Sequence, residues 1–216
     1  MKVHRWKTIT ALAAASLALA IGAAPSQAAT TLVESTKVSA GLSASDLSKL
    51  PLTDRHLTKR EKANLAVVLR AYHAGEGDVL DAQGFMDLFA EDGVLNGIGG
   101  VEGQTSLRGE QLGGLILFLG KFLPDVHREL KQITVNGDVV AIELSIQGTF
   151  LGALPTPAGI VEPTGAKIDV PTADFWYLRD GKIETFNCYV GLSIMFAQMG
   201  VMPDFASAVA APVAAR

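Results

Sequence analysis

Apolar residues recur at helical spacing in the first half of the chain and alternate in the second. Thr58-Lys59-Arg60-Glu61 is a capping box: the Thr hydroxyl accepts a backbone N–H and the Glu three residues on reciprocates. Behind it, Leu65, Val68, Leu69 and Tyr72 fall on one helix face, and Gly75 and Gly77 end the helix. Leu80, Phe85, Leu88 and Phe89 predict a second amphipathic helix over 79–90. Asp92-Gly93 then turns into a short strand at Val94 and Leu95. Residues 96–103 (NGIGGVEG) are glycine-dense and read as a flexible loop. Residues 110–122 are so apolar that a helix there must be buried on most sides or bind something oily, and Pro124 stops it.

From residue 127 the period becomes two. Strands over 127–135 and 139–150 flank Asn136-Gly137-Asp138, and strands over 166–178 and 183–190 flank Asp180-Gly181. The second pair is the stronger hairpin signal, because a type I′ turn needs positive φ at both central residues. A two-residue turn fixes the register: Arg179 faces Lys182, Leu178 faces Ile183, Trp176 faces Thr185 and Asp174 faces Asn187. Side chains alternate along a strand, so Asp174, Trp176, Thr185 and Asn187 share one face, Gly191 follows their parity, and Cys188 lies opposite. Residues 151–165, with Pro155, Pro157, Pro163 and three glycines, form an irregular connection. Residues 192–199 are a short helix or a last strand edge. Helices followed by consecutive antiparallel strands predict an α+β domain. Its curved sheet wraps around the helices and leaves a cone-shaped apolar cavity.

The ends of the chain read differently. Lys2, Arg5 and Lys7 precede an Ala/Leu-rich run over 9–24, and Ser26-Gln27-Ala28 offers small residues for a signal peptidase, so residues 1–28 are expected to be a signal peptide. The apolar run is short for a membrane span of about 20 residues, and the expected destination is secreted or periplasmic, without membrane insertion once the signal is removed. Residues 29–57 form a loosely ordered leader with at most one short helix starting near Ser45. Residues 58–203 are the domain, and residues 204–216 are an Ala/Val/Pro tail. The signal segment carries three of the 18 Lys and Arg residues and none of the 22 Asp and Glu, so its removal takes the net charge from −4 to −7. Part of the mean hydropathy of +0.30 belongs to it as well. An acidic domain with no basic run argues against nucleic acid and anionic membranes as partners.

Candidate chemistry is sparse. Asp174 and Asn187 put a carboxylate and an amide on an otherwise apolar hairpin. Asp174 either bonds Asn187 and braces the hairpin, or lines the cavity with a raised pKa and moves a proton. Asn96 and His127 are further polar candidates for a ligand site, with Phe150 and Trp176 as its walls. His56 and His73 lie near helix ends and are solvated. Cys188, the single cysteine, rules out an internal disulfide and reads as a buried structural thiol. No zinc spacing, no G-x-S-x-G elbow and no dinucleotide fingerprint occurs, so neither a metal nor a cofactor is expected.

Several short pieces, in order, carry a resemblance. They are Phe89-Ala90-Glu91-Asp92, Leu107-Arg108-Gly109-Glu110, Phe122-Leu123-Pro124-Asp125, Gly148-Thr149, Pro163-Thr164-Gly165, Arg179-Asp180-Gly181-Lys182-Ile183 and Gln198-Met199-Gly200. Over 62–203 the chain resembles the SnoaL-like polyketide cyclase branch of the nuclear-transport-factor-2-like (NTF2-like) superfamily. The resemblance implies the NTF2-like cone, a homodimer formed through the outer sheet face, and acid/base chemistry on an enolisable polyketide. The family's Asp falls here on Gly191 and its frequent His on Phe150, neither of which transfers a proton. The expected function is therefore binding of a small hydrophobic molecule in the cone, without the family's acid/base step. The alternative is a cyclase- or isomerase-like enzyme that acts on a polyketide or steroid-like ketone through Asp174.

Overall fold

In the computed structural model, which describes residues 42–100, 103–156 and 159–201, the elements follow the α-then-β order that the periodicity predicts. Helix α1 (Ala44–Lys49) starts at a Ser43–Asp46 capping box, next to the position read from the sequence. Helix α2 (Lys59–Ala74) starts at Thr58, as its own box predicts. The Glu61 carboxylate does more than cap, because it also accepts from Gly137 N at 2.9 Å and so ties the helix start to a strand turn. These backbone donors hold Glu61 well below the usual carboxylate range, at about 2. Thr58→Ala is expected to cost about 1 kcal/mol, read as a lower urea midpoint. An unchanged midpoint would mean that the Glu61–Gly137 contact alone fixes the helix start.

Every residue from Asn64 to Leu69 is buried, as are Ala71, Tyr72 and Ala74, so α2 is the central helix and not a surface one. The chain leaves it through Gly77, where a Cβ would sit 2.4 Å from the Pro124 carbonyl, so only glycine fits. Helix α3 (Ala82–Met86) is shorter than the helix expected over 79–90. Leu80 adopts a positive φ of 46° and breaks the run, and Phe89 already belongs to a strand.

That strand, β1 (Phe89–Gly100), and β2 (Gly103–Leu107) occupy most of the expected glycine-rich loop, so the short strand at Val94 and Leu95 and the loop over 96–103 are both corrected. Helix α4 (Glu110–Phe122) buries Leu112, Ile116 and Phe122 but exposes Leu117 and Phe118. It is followed by β3 (His127–Asn136) and β4 (Val139–Thr149). A small pair, β5 (Leu154–Thr156) and β6 (Gly159–Val161), interrupts the irregular connection. Strands β7 (Lys167–Arg179) and β8 (Lys182–Val190) and helix α5 (Leu192–Gln198) complete the described chain.

The six-stranded sheet has the order β2-β1-β8-β7-β4-β3. All its pairs are antiparallel except β1 with β8, which is parallel and makes the sheet mixed. Residues 51–53 extend the β3 edge, with Thr53 N on Ile133 O and Ile133 N on Pro51 O, both at 2.9 Å. The inner face packs on α2 and α4 around one core that includes Leu65, Val68, Ile116, Ile133, Ile142 and Trp176. The expected signal peptide, the start of the leader and the tail over 204–216 lie outside the described residues.

Candidate functional site

The β7–β8 turn is the two-residue turn read from the sequence, with Asp180 at φ 52° and Gly181 at φ 74°. Arg179 pairs with Lys182 and Leu178 with Ile183 as expected. The register then slips by one. Glu184 is the extra residue of a bulge, with its carboxylate 2.9 Å from the Arg179 guanidinium, and Tyr177 rather than Trp176 faces Thr185. Asp174 therefore faces Cys188, not Asn187, and the parity expected for this face is reversed along β8.

The bulge decides which groups meet. One inner-face row runs Gly97, Cys188, Asp174, Ile142, Ile133 across five strands, and the thiol and the carboxyl are its polar members. The next row toward the turn contains Leu95, Phe186, Trp176 and Val140. Asp174 is 3 % exposed, and it is held from α2 by the Tyr72 hydroxyl, which donates to Oδ2 at 2.7 Å. Trp176 Nε1 donates in turn to the Tyr72 oxygen at 3.1 Å. The Trp176 ring stacks on Phe186 at 3.5 Å and 8°, and Tyr72 meets it edge-on at 5.4 Å. Asp174 Oδ1 is buried with no hydrogen-bond partner of ordinary geometry.

Burial pushes the Asp174 carboxyl up to about 6, against the stabilising Tyr72 and Cys188 contacts and the more distant Arg128 charge. Burial, and then the neighbouring Asp174 charge, push the Tyr72 phenol and the Cys188 thiol above their ordinary values. Nothing in the sequence reading joined Tyr72 to Asp174. The available signal was a tyrosine in the apolar stripe of a buried helix, since a buried phenol needs a polar partner.

The other expected site residues scatter. Asn187 and Asn96 face outward, bonded to each other at 2.8 Å, with Ser106 donating to Asn96 at 2.7 Å. They do not meet Asp174. Phe150 is fully buried in the core. His127, at the start of β3, bonds Glu76 through Nδ1 at 2.6 Å, which raises the ring above the ordinary histidine value. Glu76 is itself buried and accepts from Arg128 N at 3.1 Å, while Arg128 Nη1 donates to Gly75 O at 2.6 Å. This Glu76–His127–Arg128 cluster fastens the end of α2 to the sheet, and the sequence reading identified only its histidine. Gly191 caps α5, and a Cβ there would meet Pro171 O at 3.0 Å. Among the described residues, no group of three or more His, Cys, Asp or Glu side chains is placed to hold a metal ion.

Comparison with known proteins agrees with this geometry. The SnoaL-like domain profile matches residues 68–186. Among solved structures, the chain is similar to a protein from Jannaschia sp. CCS1 assigned as a SnoaL-like polyketide cyclase. The identity is 19% over 68% of this chain and 98% of that one, with a TM-score of 0.57. It is also similar to AclR from Streptomyces galilaeus, assigned as a hydroxylase, at 21% identity over 69% and 92% with a TM-score of 0.56. IdmH from Streptomyces antibioticus, assigned as a polyketide cyclase, is 25% identical over 64% and 99% with a TM-score of 0.52. No curated protein matches the chain in sequence. The shared architecture is the NTF2-like cone, which the curved mixed sheet and its inner helices reproduce here.

Proposed function

This chain belongs to the SnoaL-like domain family, and from that premise we propose that its inner face binds a small hydrophobic molecule with one polar group, held by the Cys188–Asp174 row. The observation that carries the reading is Asp174 Oδ1, a buried oxygen with no hydrogen-bond partner of ordinary geometry, beside the Cys188 thiol on a mostly apolar face. Apolar walls with few convergent polar groups are what ligand sites consist of. Asn96 and Asn187 do not contribute from this side. Residues 1–28 direct export in this reading. A homodimer would form through the outer face, where Phe175, Tyr177 and Tyr189 are exposed and the Phe175 and Tyr189 rings meet at 5.8 Å.

A second reading is favoured by the elevated carboxyl. An acid poised at about 6 is well matched to taking a proton from an enolisable carbon near neutral pH. Asp174 would be the base, and Tyr72 would hold it in place.

One titration separates binding from its absence. An environment-sensitive dye should enter a saturable site and be displaced by apolar ketones, and a dye that never saturates would refute the pocket. The proton-transfer reading is tested by deuterium exchange at the α-carbon of a displacing ketone. Asp174→Asn is expected to slow that exchange by about 10²-fold or more while the dye still binds. Equal exchange in both proteins would leave binding alone.

A further inference from the structure

Cys188 is half-buried, whereas its cross-strand partner Asp174 is sealed at 3 % exposure. Residues directly opposite on one face of an antiparallel pair hold their Cβ atoms within about 5.5 Å, so of the two residues opposed to Asp174, Ile142 and Cys188, the thiol is the polar one beside Oδ1. On the other side of Cys188 stands Gly97, its partner on the parallel strand β1. A Cβ built on Gly97 would find a single atom within 4 Å, Thr105 O at 3.9 Å, so the space beside the sulfur is open. The row thus runs from open space through a thiol to a carboxylate whose Oδ1 has no partner of ordinary geometry.

We propose that Cys188 and Asp174 form a thiol–carboxylate pair that captures conjugated enones bound on the inner face. The sulfur adds to the β-carbon of the enone as Asp174 takes the thiol proton. The π pair of the C=C bond becomes the new double bond between the α-carbon and the carbonyl carbon, and the carbonyl π pair moves onto oxygen to give an enolate. Asp174 returns the proton to the α-carbon as the enolate collapses to the ketone. One S–H and one C=C are consumed, one S–C and one C–H form, and no oxidant or reductant is needed. The proposal rests on the ligand-binding reading above and names the ligand class as an apolar α,β-unsaturated ketone.

The need for a base follows from the surroundings of the thiol. Burial and the Asp174 charge keep Cys188 protonated near neutral pH, so it cannot attack as a preformed thiolate. The titratable and charged groups facing the pair are Tyr72 from α2 and Arg128 from β3. Burial holds Tyr72 neutral through this range, and an arginine does not deprotonate there. His127 is engaged by Glu76 at 2.6 Å and is not among the groups that act on either member of the pair.

Cys188 is the single cysteine of the chain, so intact mass after exposure to cyclohexenone reads it without ambiguity. The expected rate of adduct formation rises through a pH of about 6 as Asp174 ionises and then levels off. Asp174→Asn should lose that step and react about 10²-fold more slowly near neutral pH. Cys188→Ala should form no adduct, and His127→Gln should keep the step. Saturated cyclohexanone should displace the dye as cyclohexenone does, yet leave the mass unchanged. Displacement by both ketones with no adduct overturns the pair and leaves the pocket standing. An adduct without dye displacement overturns the pocket reading instead. Equal rates in wild type and Asp174→Asn overturn the pair. So does a wild-type rate that rises only in alkali, a result that decides the matter even if Asp174→Asn folds poorly.

Discussion

Trp176→Ala is expected to cost about 3–5 kcal/mol, a large share of the roughly 5–15 kcal/mol that holds a domain of this kind together. The side chain is 1 % exposed and lies between two rings, stacked on Phe186 and edge-on to Tyr72. Its removal leaves a cavity the size of an indole where β-strand backbones cannot close in. It also deletes the donor to Tyr72, whose hydroxyl then holds Asp174 alone. Trp176→Phe separates the two effects in large part, because it keeps most of the stacking area while it loses the N–H. That variant is expected to lose about 1 kcal/mol for the hydrogen bond together with the smaller ring volume. Urea denaturation should show a lower midpoint at unchanged slope for both variants. A loss below about 1 kcal/mol for the alanine variant would mean that the inner face can collapse around the gap.

The same residues show where the sequence was legible. Thr58 and Glu61 declared a helix start because a capping box is a local code, satisfied by atoms three residues apart. Asp180-Gly181 declared its turn for a similar reason, since positive φ at two adjacent positions is a requirement few dipeptides meet. The register two residues beyond that turn was not local. It depends on the Glu184 bulge, fixed by the Arg179 guanidinium, which also reaches Asp92 on β1 at 2.9 Å. Glycines over 96–103 argued for a loop because isolated propensity disfavours them in strands. Parallel pairing with β8 supplies the hydrogen bonds that hold 96–98 extended.

The candidate site was legible by half. Asp174 stood out as a carboxylate in an alternating apolar strand, and it is buried on the inner face of the sheet. Asn187 was assigned to the same face by a parity that one extra residue reverses, which moves it and Asn96 to the outer surface. Cys188 moved the opposite way, from the far face to the carboxylate's side. Tyr72 lies 102 residues from Asp174 in sequence, and the contact between them is tertiary. No window of neighbouring residues could reveal it.

Asp174→Asn is expected to stabilise the protein above a pH of about 6 and to leave it unchanged below about 4. The sign follows from the two states of the carboxyl. In the unfolded chain it ionises near its ordinary value of 3.8, and in the fold, where burial opposes the charge, at about 6. Below 3.8 both states hold the proton and the burial costs nothing. Between the two values the folded state binds more protons, so stability falls as pH rises. Above the folded value both states are ionised, and the full difference, about 3 kcal/mol, is lost from the wild type. Asparagine is neutral throughout and still offers Tyr72 an acceptor oxygen of the same shape, so it avoids the cost while keeping the contact. The gain near a pH of about 8 should therefore be about 2–3 kcal/mol, seen as a higher urea midpoint that shrinks to nothing on acidification. A variant less stable than wild type in mild alkali would show that Tyr72 and Cys188 stabilise the charge more than burial opposes it. The expected result has a functional consequence. Among the described residues no salt bridge compensates Asp174, so its charge weakens the fold at neutral pH. A residue that destabilises its own scaffold in this way is one whose chemistry is worth testing, and the role proposed for it is that of a base behind Cys188.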